Sequence, residues 1–247
     1  MATVLIKGGR VLDGSGAEAF EGGVLLEDDR IAALLKPGED APAVDRVLDA
    51  KGCMVSPGFI DMHSHADWTL ALADHDGLMK INLEQGITSV VGGNCGFSPA
   101  PVAPAGPGSA EGSLVAMLAE EPLDFSWRSM GEFLDQVEKN GPVVNMAELV
   151  GHASVRAAAS APDRGAMPPH DLERCLEETR RCLDEGACGL SFGLGYDPGM
   201  YSPLEELAAF SRVAADAGKP VTVHLKAMSA ISPTYPLTYL KPHNLRA

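Results

Sequence analysis

Pro57-Gly58-Phe59-Ile60-Asp61-Met62-His63-Ser64-His65-Ala66-Asp67 is the stretch at which the chain changes character. A Pro-Gly break opens an apolar run that passes directly into His-x-His. In extended chain, residues i and i+2 point to the same face. The imidazoles of His63 and His65 can therefore reach one ion from the end of a strand, and imidazole suits zinc and other borderline transition metals. A bare pair of histidines at a strand end is an ordinary surface feature. The strand that precedes this pair and the acidic Asp67 that follows it favour the metal reading.

Downstream of this stretch, apolar strand-like runs at 58–62, 87–92, 143–150, 189–193 and 220–225 alternate with helix-like segments near 77–85, 129–140, 170–185 and 203–217. Pro169-His170-Asp171-Leu172-Glu173 opens one helix with acids in its first turn, and Gly186 and Gly218 close two others. Strands alternating with helices predict βαβ units and a parallel sheet, a pattern met by a barrel or by a doubly wound sheet. Upstream, residues 1–56 carry short alternating runs broken by Gly and Asp, with Asp28-Asp29 as a hairpin signal, and predict the N-terminal part of a small β-sandwich. The expected division is thus 1–56 and 57–247. A complete barrel needs eight strands and about 250 residues of its own, more than the strand-like runs that follow Pro57 supply.

Two more of these runs end in metal-capable side chains. Ile87-Thr88-Ser89-Val90-Val91 leads into Gly92-Gly93-Asn94-Cys95-Gly96, and Pro220-Val221-Thr222-Val223 ends in His224. The carboxyl ends of the strands form the active-site face of α/β barrels, and a thiol loses its proton on coordination to become a strong zinc ligand. An isolated cysteine in a glycine turn is commonly a small buried hydrophobe, and an isolated strand-end histidine is as readily packed as ligating. Three such ends in one chain favour a shared zinc site of His63, His65, Cys95 and His224. His152, which follows the run 143–150, reads either as a residue lining the pocket or as one ordering the chain around Arg156. Tyr196 reads either as a hydrogen-bond donor to substrate or as a packed tyrosine. Trp68 and Trp127 read as core or lid, His75 and His170 as solvated surface residues, and the Pro-, Ala- and Gly-rich residues 97–125 as a long loop over one end of the sheet.

Composition excludes several classes. Hydrophobic residues make up 45% and charged residues 21%, an ordinary globular profile. A formal net charge of −15 opposes binding to nucleic acid or to an anionic membrane. The opening MATVLIKGGRVLDG has no basic n-region or apolar signal core, and no window approaches the roughly 18 apolar residues of a membrane span; a cytoplasmic enzyme acting on a small molecule is expected. The five cysteines, Cys53, Cys95, Cys175, Cys182 and Cys188, are too irregular for a disulfide framework.

The run HSHADWTLALADHDGLMKINLEQGITSVVGGNCGFSPAP from His63 resembles the N-acyl-D-amino-acid deacylases (D-aminoacylases) of the amidohydrolase superfamily. So do the run GLSFGLGYDPGMY from Gly189, the strand ending in His224, and Val150-Gly151-His152 with Arg156. KGGRVLDGSG and DAKGCMVSPGFIDMHSH match the superfamily's usual entry into its barrel, and the resemblance spans essentially the whole chain. It implies a small β-sandwich beside a (β/α)8 TIM-type barrel, here incomplete with about five of eight strands. It implies His63 and His65 at one metal position and Cys95 and His224 at the neighbouring, tighter one. A further histidine ligand and the general-base aspartate are expected on later strands, beyond residue 247; His243 reads as a loop residue. The implied reaction is zinc-dependent hydrolysis of the amide of an N-acyl-D-amino acid. The rivals are another cyclic-amide hydrolase, of hydantoinase or dihydroorotase type, and a non-catalytic metal-binding fragment. Hydantoinase-type relatives usually carry a barrel lysine for carboxylation, and no lysine stands at a strand end here.

Overall fold

The computed structural model of the chain describes residues 2–103, 123–161, 165–195 and 197–226. It divides into two compact units, Met1–Gly58 and Phe59–Ala247.

In the first unit, β1 (Thr3–Val11), β2 (Phe20–Glu27), β3 (Arg30–Leu35), β4 (Arg46–Asp49) and β5 (Met54–Val55) form one mixed sheet. Its order is β3-β2-β1-β4, with β5 also on β1. The strands predicted for a small sandwich thus supply a single layer among the described residues. The β2–β3 hairpin turns on Asp28 and Asp29, with Glu27 opposite Arg30. Such two-residue turns require positive φ, which aspartate tolerates; Asp28 adopts φ 52° and its Oδ1 accepts the Ala2 N–H at 2.7 Å. Leu5, Val11, Val24 and Leu25 are the buried apolar side chains of this sheet.

In the second unit, β6 (Phe59–Asp61), β7 (Ile87–Gly92), β8 (Asn145–Gly151), β9 (Gly189–Gly193) and β10 (Val221–His224) form a sheet in which every pairing is parallel. The helices are α1 (Asp67–Leu70), α2 (Asp76–Glu84), α3 (Met130–Asn140), α4 (His152–Ala158), α5 (Pro169–Asp184) and α6 (Leu204–Asp216). The strand order is β10-β9-β8-β7-β6, the order of the sequence without reversal. That order separates the two architectures that the alternation alone allows. A doubly wound sheet reverses its order at a switch point, whereas sequential order is that of a barrel wall, here five strands of it.

Local chemistry sets the helix ends. Ser129 and Glu132 form a reciprocal capping box before α3, and Gly141 closes that helix at φ 70°. Pro169 occupies the first turn of α5, where its missing N–H is not needed. The core between helices and sheet contains Trp68, Leu70, Met79, Met130, Phe133, Leu190 and Phe210. Cys175 and Cys182 are buried in it, and burial pushes the Cys175 thiol up to about 12. The loop expected over 97–125 lies outside the described residues between 104 and 122. Its described flanks pack inward, with Trp127 Nε1 donating to the Pro99 carbonyl at 2.8 Å. His75 corrects the surface reading. It is buried beside the start of α2 with Nδ1 2.8 Å from the Leu72 oxygen, while His170 is exposed as expected. Among the described residues, no helix is long and apolar enough to cross a membrane.

Candidate metal centre

The carboxyl edge of the parallel sheet collects the metal-capable side chains. β6 ends at Asp61, whose Oδ1 accepts the His63 N–H at 3.1 Å. The next backbone link, Ser64 N–H to the Val91 carbonyl at 3.0 Å, keeps this segment against β7. His63 Nε2 lies 3.1 Å from Cys95 Sγ, and Cys95 Sγ lies 3.5 Å from His224 Nδ1. Ligand atoms of His63, His65 and Cys95 all fall within 4.8 Å of one another. The sulfur therefore stands between the His-x-His pair and the histidine that ends β10.

Cys95 is held in an unusual backbone. It sits at φ 61°, and Gly93 at φ 67° and Gly96 at φ 79° flank the turn; these are left-handed values that glycine adopts without strain and cysteine does not. The surroundings impose it. A Cβ on Gly93 would lie 1.9 Å from the Leu149 oxygen, and one on Gly96 would lie 2.6 Å from the Gly193 nitrogen. Asn94 Nδ2 donates to the Val91 carbonyl at 2.8 Å, and the Gly96 N–H donates to Ser191 Oγ at 2.9 Å, while that hydroxyl donates to the Gly93 carbonyl. Asp67 Oδ2 accepts the Gly93 N–H at 2.9 Å. Asp67 thus holds the cysteine turn at Gly93.

Burial lowers the pKa of His65, reinforced by the neighbouring His63 and His224. Burial and His63 lower that of His224 likewise. Both rings are held neutral, the form in which imidazole offers a lone pair to a metal. His65 Nδ1 is buried with no hydrogen-bond partner among the described residues. An orphaned ring nitrogen, a cysteine sulfur and neutral imidazoles form a donor set that suits zinc.

Sequence reasoning missed Glu148. It lies on β8, fully buried against Asp67, and burial with the Asp67 charge raises its pKa well above the usual carboxylate range. Asp67 is pushed up to about 7 by burial. A lone acid inside the apolar run 143–150 is the signal that marks such a group. His152 has no exposed surface; its Nε2 lies 2.8 Å from Glu206 Oε1, and its ring packs on Phe192 and Phe210. Tyr196 and His243 lie outside the described residues.

A barrel-wall sheet with histidines and a cysteine gathered at its carboxyl edge is the arrangement of a metal-binding α/β-barrel protein. The sequence profile of the amidohydrolase family matches residues 46–230, and the chain belongs to that family. It is 41% identical over 225 residues to an N-acyl-D-glutamate deacylase of Alcaligenes xylosoxydans xylosoxydans, covering 90% of this chain and 43% of that one. It is 33% identical over 225 residues to a D-aminoacylase of the same organism, covering 90% and 44%. The crystal structure of an N-acyl-D-glutamate deacylase from Bordetella bronchiseptica, complexed with zinc and a phosphonate mimic of the tetrahedral intermediate, superposes with a TM-score of 0.82 at 34% identity, covering 92% and 45%. The chain thus spans less than half the length of these relatives.

Proposed function

We propose that this chain carries the metal-binding part of a zinc-dependent hydrolase that cleaves the amide bond of N-acyl-D-amino acids. The observation that supports this most is the convergence of His63, His65 and His224 on the Cys95 sulfur at the carboxyl edge of the sheet. The deacylase names of the similar proteins support the substrate class. His63, His65, Cys95 and His224 would hold the ion. When bound, zinc supplies Lewis acidity, drawing electron density from an amide carbonyl and acidifying water to a pKa of about 7. The chain's own residues prepare that chemistry. Cys95 would hold the ion as thiolate, the imidazoles of His65 and His224 would offer lone pairs, and Asp67 with Ser191 fixes the cysteine turn. Glu148 is buried behind Asp67, away from solvent. The resemblance to the deacylases implies a proton-transferring aspartate on a later strand. The expected setting is the cytoplasm and the expected partner a small-molecule N-acyl amino acid; the net charge of −15 disfavours nucleic acid and anionic membranes.

The test is a panel of N-acyl-D- and N-acyl-L-amino acids, with N-acyl-D-glutamate included, on the zinc-loaded complete gene product. Release of free D-amino acid that stops on chelation supports the reading. Hydrolysis of hydantoins or dihydroorotate in place of the acyl amino acids overturns it.

A further inference from the structure

The sheet's carboxyl edge carries a second buried polar cluster that the metal chemistry does not use. Glu206, in the first turn of α6, is almost fully buried. One of its oxygens, Oε1, meets three donors. His152 Nε2, at the start of α4, lies at 2.8 Å; Arg156 Nη1, one turn further along α4, at 2.7 Å; and Ser202 Oγ, just before α6, at 2.8 Å. Arg156 Nη1 also donates to Ser202 Oγ at 3.1 Å, and Arg156 Nη2 to the Gly165 carbonyl at 3.3 Å. Burial raises the Glu206 pKa, but the hydrogen bonds from His152 and Ser202 and the Arg156 charge outweigh it and leave it lowered. The carboxylate is therefore charged and neutralised in place by the guanidinium.

What this cluster grips is the turn Gly199–Tyr201, which Ser202 ends. That turn is pressed onto the sheet beside the metal centre. A Cβ on Gly199 would lie 2.2 Å from the Gly193 oxygen, and one on Gly96 would lie 2.6 Å from the Gly193 nitrogen. Gly193 is paired with His224 across β9 and β10, and the Leu194 N–H donates to the His224 carbonyl at 2.9 Å. From the far side, Lys226 Nζ donates to the Met200 carbonyl at 2.7 Å. Close backbone contacts thus link the cysteine turn through Gly193 to the Gly199–Tyr201 turn. Ser202 is the side chain that ties that turn to Glu206.

We propose that Glu206, with Arg156, His152 and Ser202, is a positioning device that fixes the Gly199–Ser202 turn over the carboxyl edge of the sheet and so shapes the substrate side of the metal centre. This rests on the deacylase reading for the identity of the substrate; the clamp itself does not. A hydrogen bond to a charged acceptor restrains local opening by about 10-fold or more.

The test uses Ser202→Ala, which removes one hydroxyl outside the metal ligands, and Ser202→Thr, which restores it. Hydrogen exchange on the zinc-loaded complete gene product is expected to run about 10-fold faster over 197–203 in Ser202→Ala, with Gly189–Gly193 unchanged and Ser202→Thr near wild type. In the complete gene product, KM for the acyl amino acid is expected to rise about 5- to 10-fold while kcat stays within about 2-fold, as when binding alone is weakened, and zinc content is unchanged. Unchanged exchange over 197–203 overturns the clamp. Faster exchange with unchanged KM, or a joint fall in zinc content and kcat, overturns its role on the substrate side. Absence of turnover in the wild type would be a failure of the deacylase reading, and the exchange arm would still decide the clamp.

Discussion

Two histidine clusters stand at the carboxyl edge of one parallel sheet, and their chemistry is opposite. Around Cys95, imidazoles meet a sulfur and each other, and a buried ring nitrogen of His65 goes unanswered among the described residues. Around Glu206, an imidazole meets a carboxylate already paired with a guanidinium, so charge is balanced by the protein itself. The first set presents lone pairs; the second matches donors to an acceptor. A strand-end histidine is thus told apart as ligand or strut by the sign of what faces it, and that comes from elsewhere in the chain.

The largest expected effect breaks the first cluster alone. Cys95→Ala in the complete gene product should lose most of its zinc and about 100-fold or more in activity, since even residues that only support a ligand are worth 10- to 100-fold. Metal analysis beside kinetics checks this, and normal zinc occupancy would remove Cys95 from the site. Next, Arg156→Met breaks the second cluster by leaving the Glu206 carboxylate buried without its partner. A loss of roughly 3–5 kcal/mol in urea unfolding is expected, with zinc per folded protein unchanged.

A pH series sharpens the contrast further. Burial lowers the pKa of His152, opposed by the hydrogen bond and charge of Glu206. With the folded value below the unfolded one of about 6.5, the unfolded chain takes up a proton that the folded protein refuses. Stability is therefore free of this penalty above pH of about 6.5 and falls as pH drops below it. The lowered pKa of Glu206 acts in the same direction, losing its contribution as pH falls through the folded value. His152→Gln should flatten the slope of the urea midpoint between about pH 6.5 and 5.5; an unaltered slope would place the acid sensitivity elsewhere. The smallest effect is expected from Ser191→Ala, which removes the hydroxyl that both accepts from Gly96 and donates to Gly93. About 1 kcal/mol of stability should go, read by the same unfolding measurement.

The strands that carry a continuous apolar run are the ones legible in the sequence. β7, β8, β9 and β10 are apolar runs closed by Gly or His, and all four stand where the runs predict them. The candidate ligands are legible for the same reason, since each follows such a run. The two buried acids are not legible because their partners stand about fifty residues or more away. Glu148 reads as an interruption of a strand until Asp67 is placed beside it, and Glu206 as a helix-start acid until His152 and Arg156 arrive from α4. His75 reads as a surface residue because its burial is made by the packing around α2, although the carbonyl its ring meets, that of Leu72, is only three residues away.

The close backbone contacts around Gly193 carry a consequence for how this centre can diversify. Gly96 abuts the Gly193 nitrogen, Gly199 abuts the Gly193 oxygen, and a Cβ on Gly151 would lie 2.5 Å from the Gly96 oxygen. These contacts are backbone against backbone, so no rotamer change relieves an added methyl group. The floor of the centre is in this sense mutationally frozen. New substrate preferences cannot be selected there one side chain at a time, and a library that randomises these glycines should return almost only glycine. Variation has to enter through the walls, and the turn tethered by Ser202 is the piece of wall whose fastening can be loosened without disturbing the ligands beneath it.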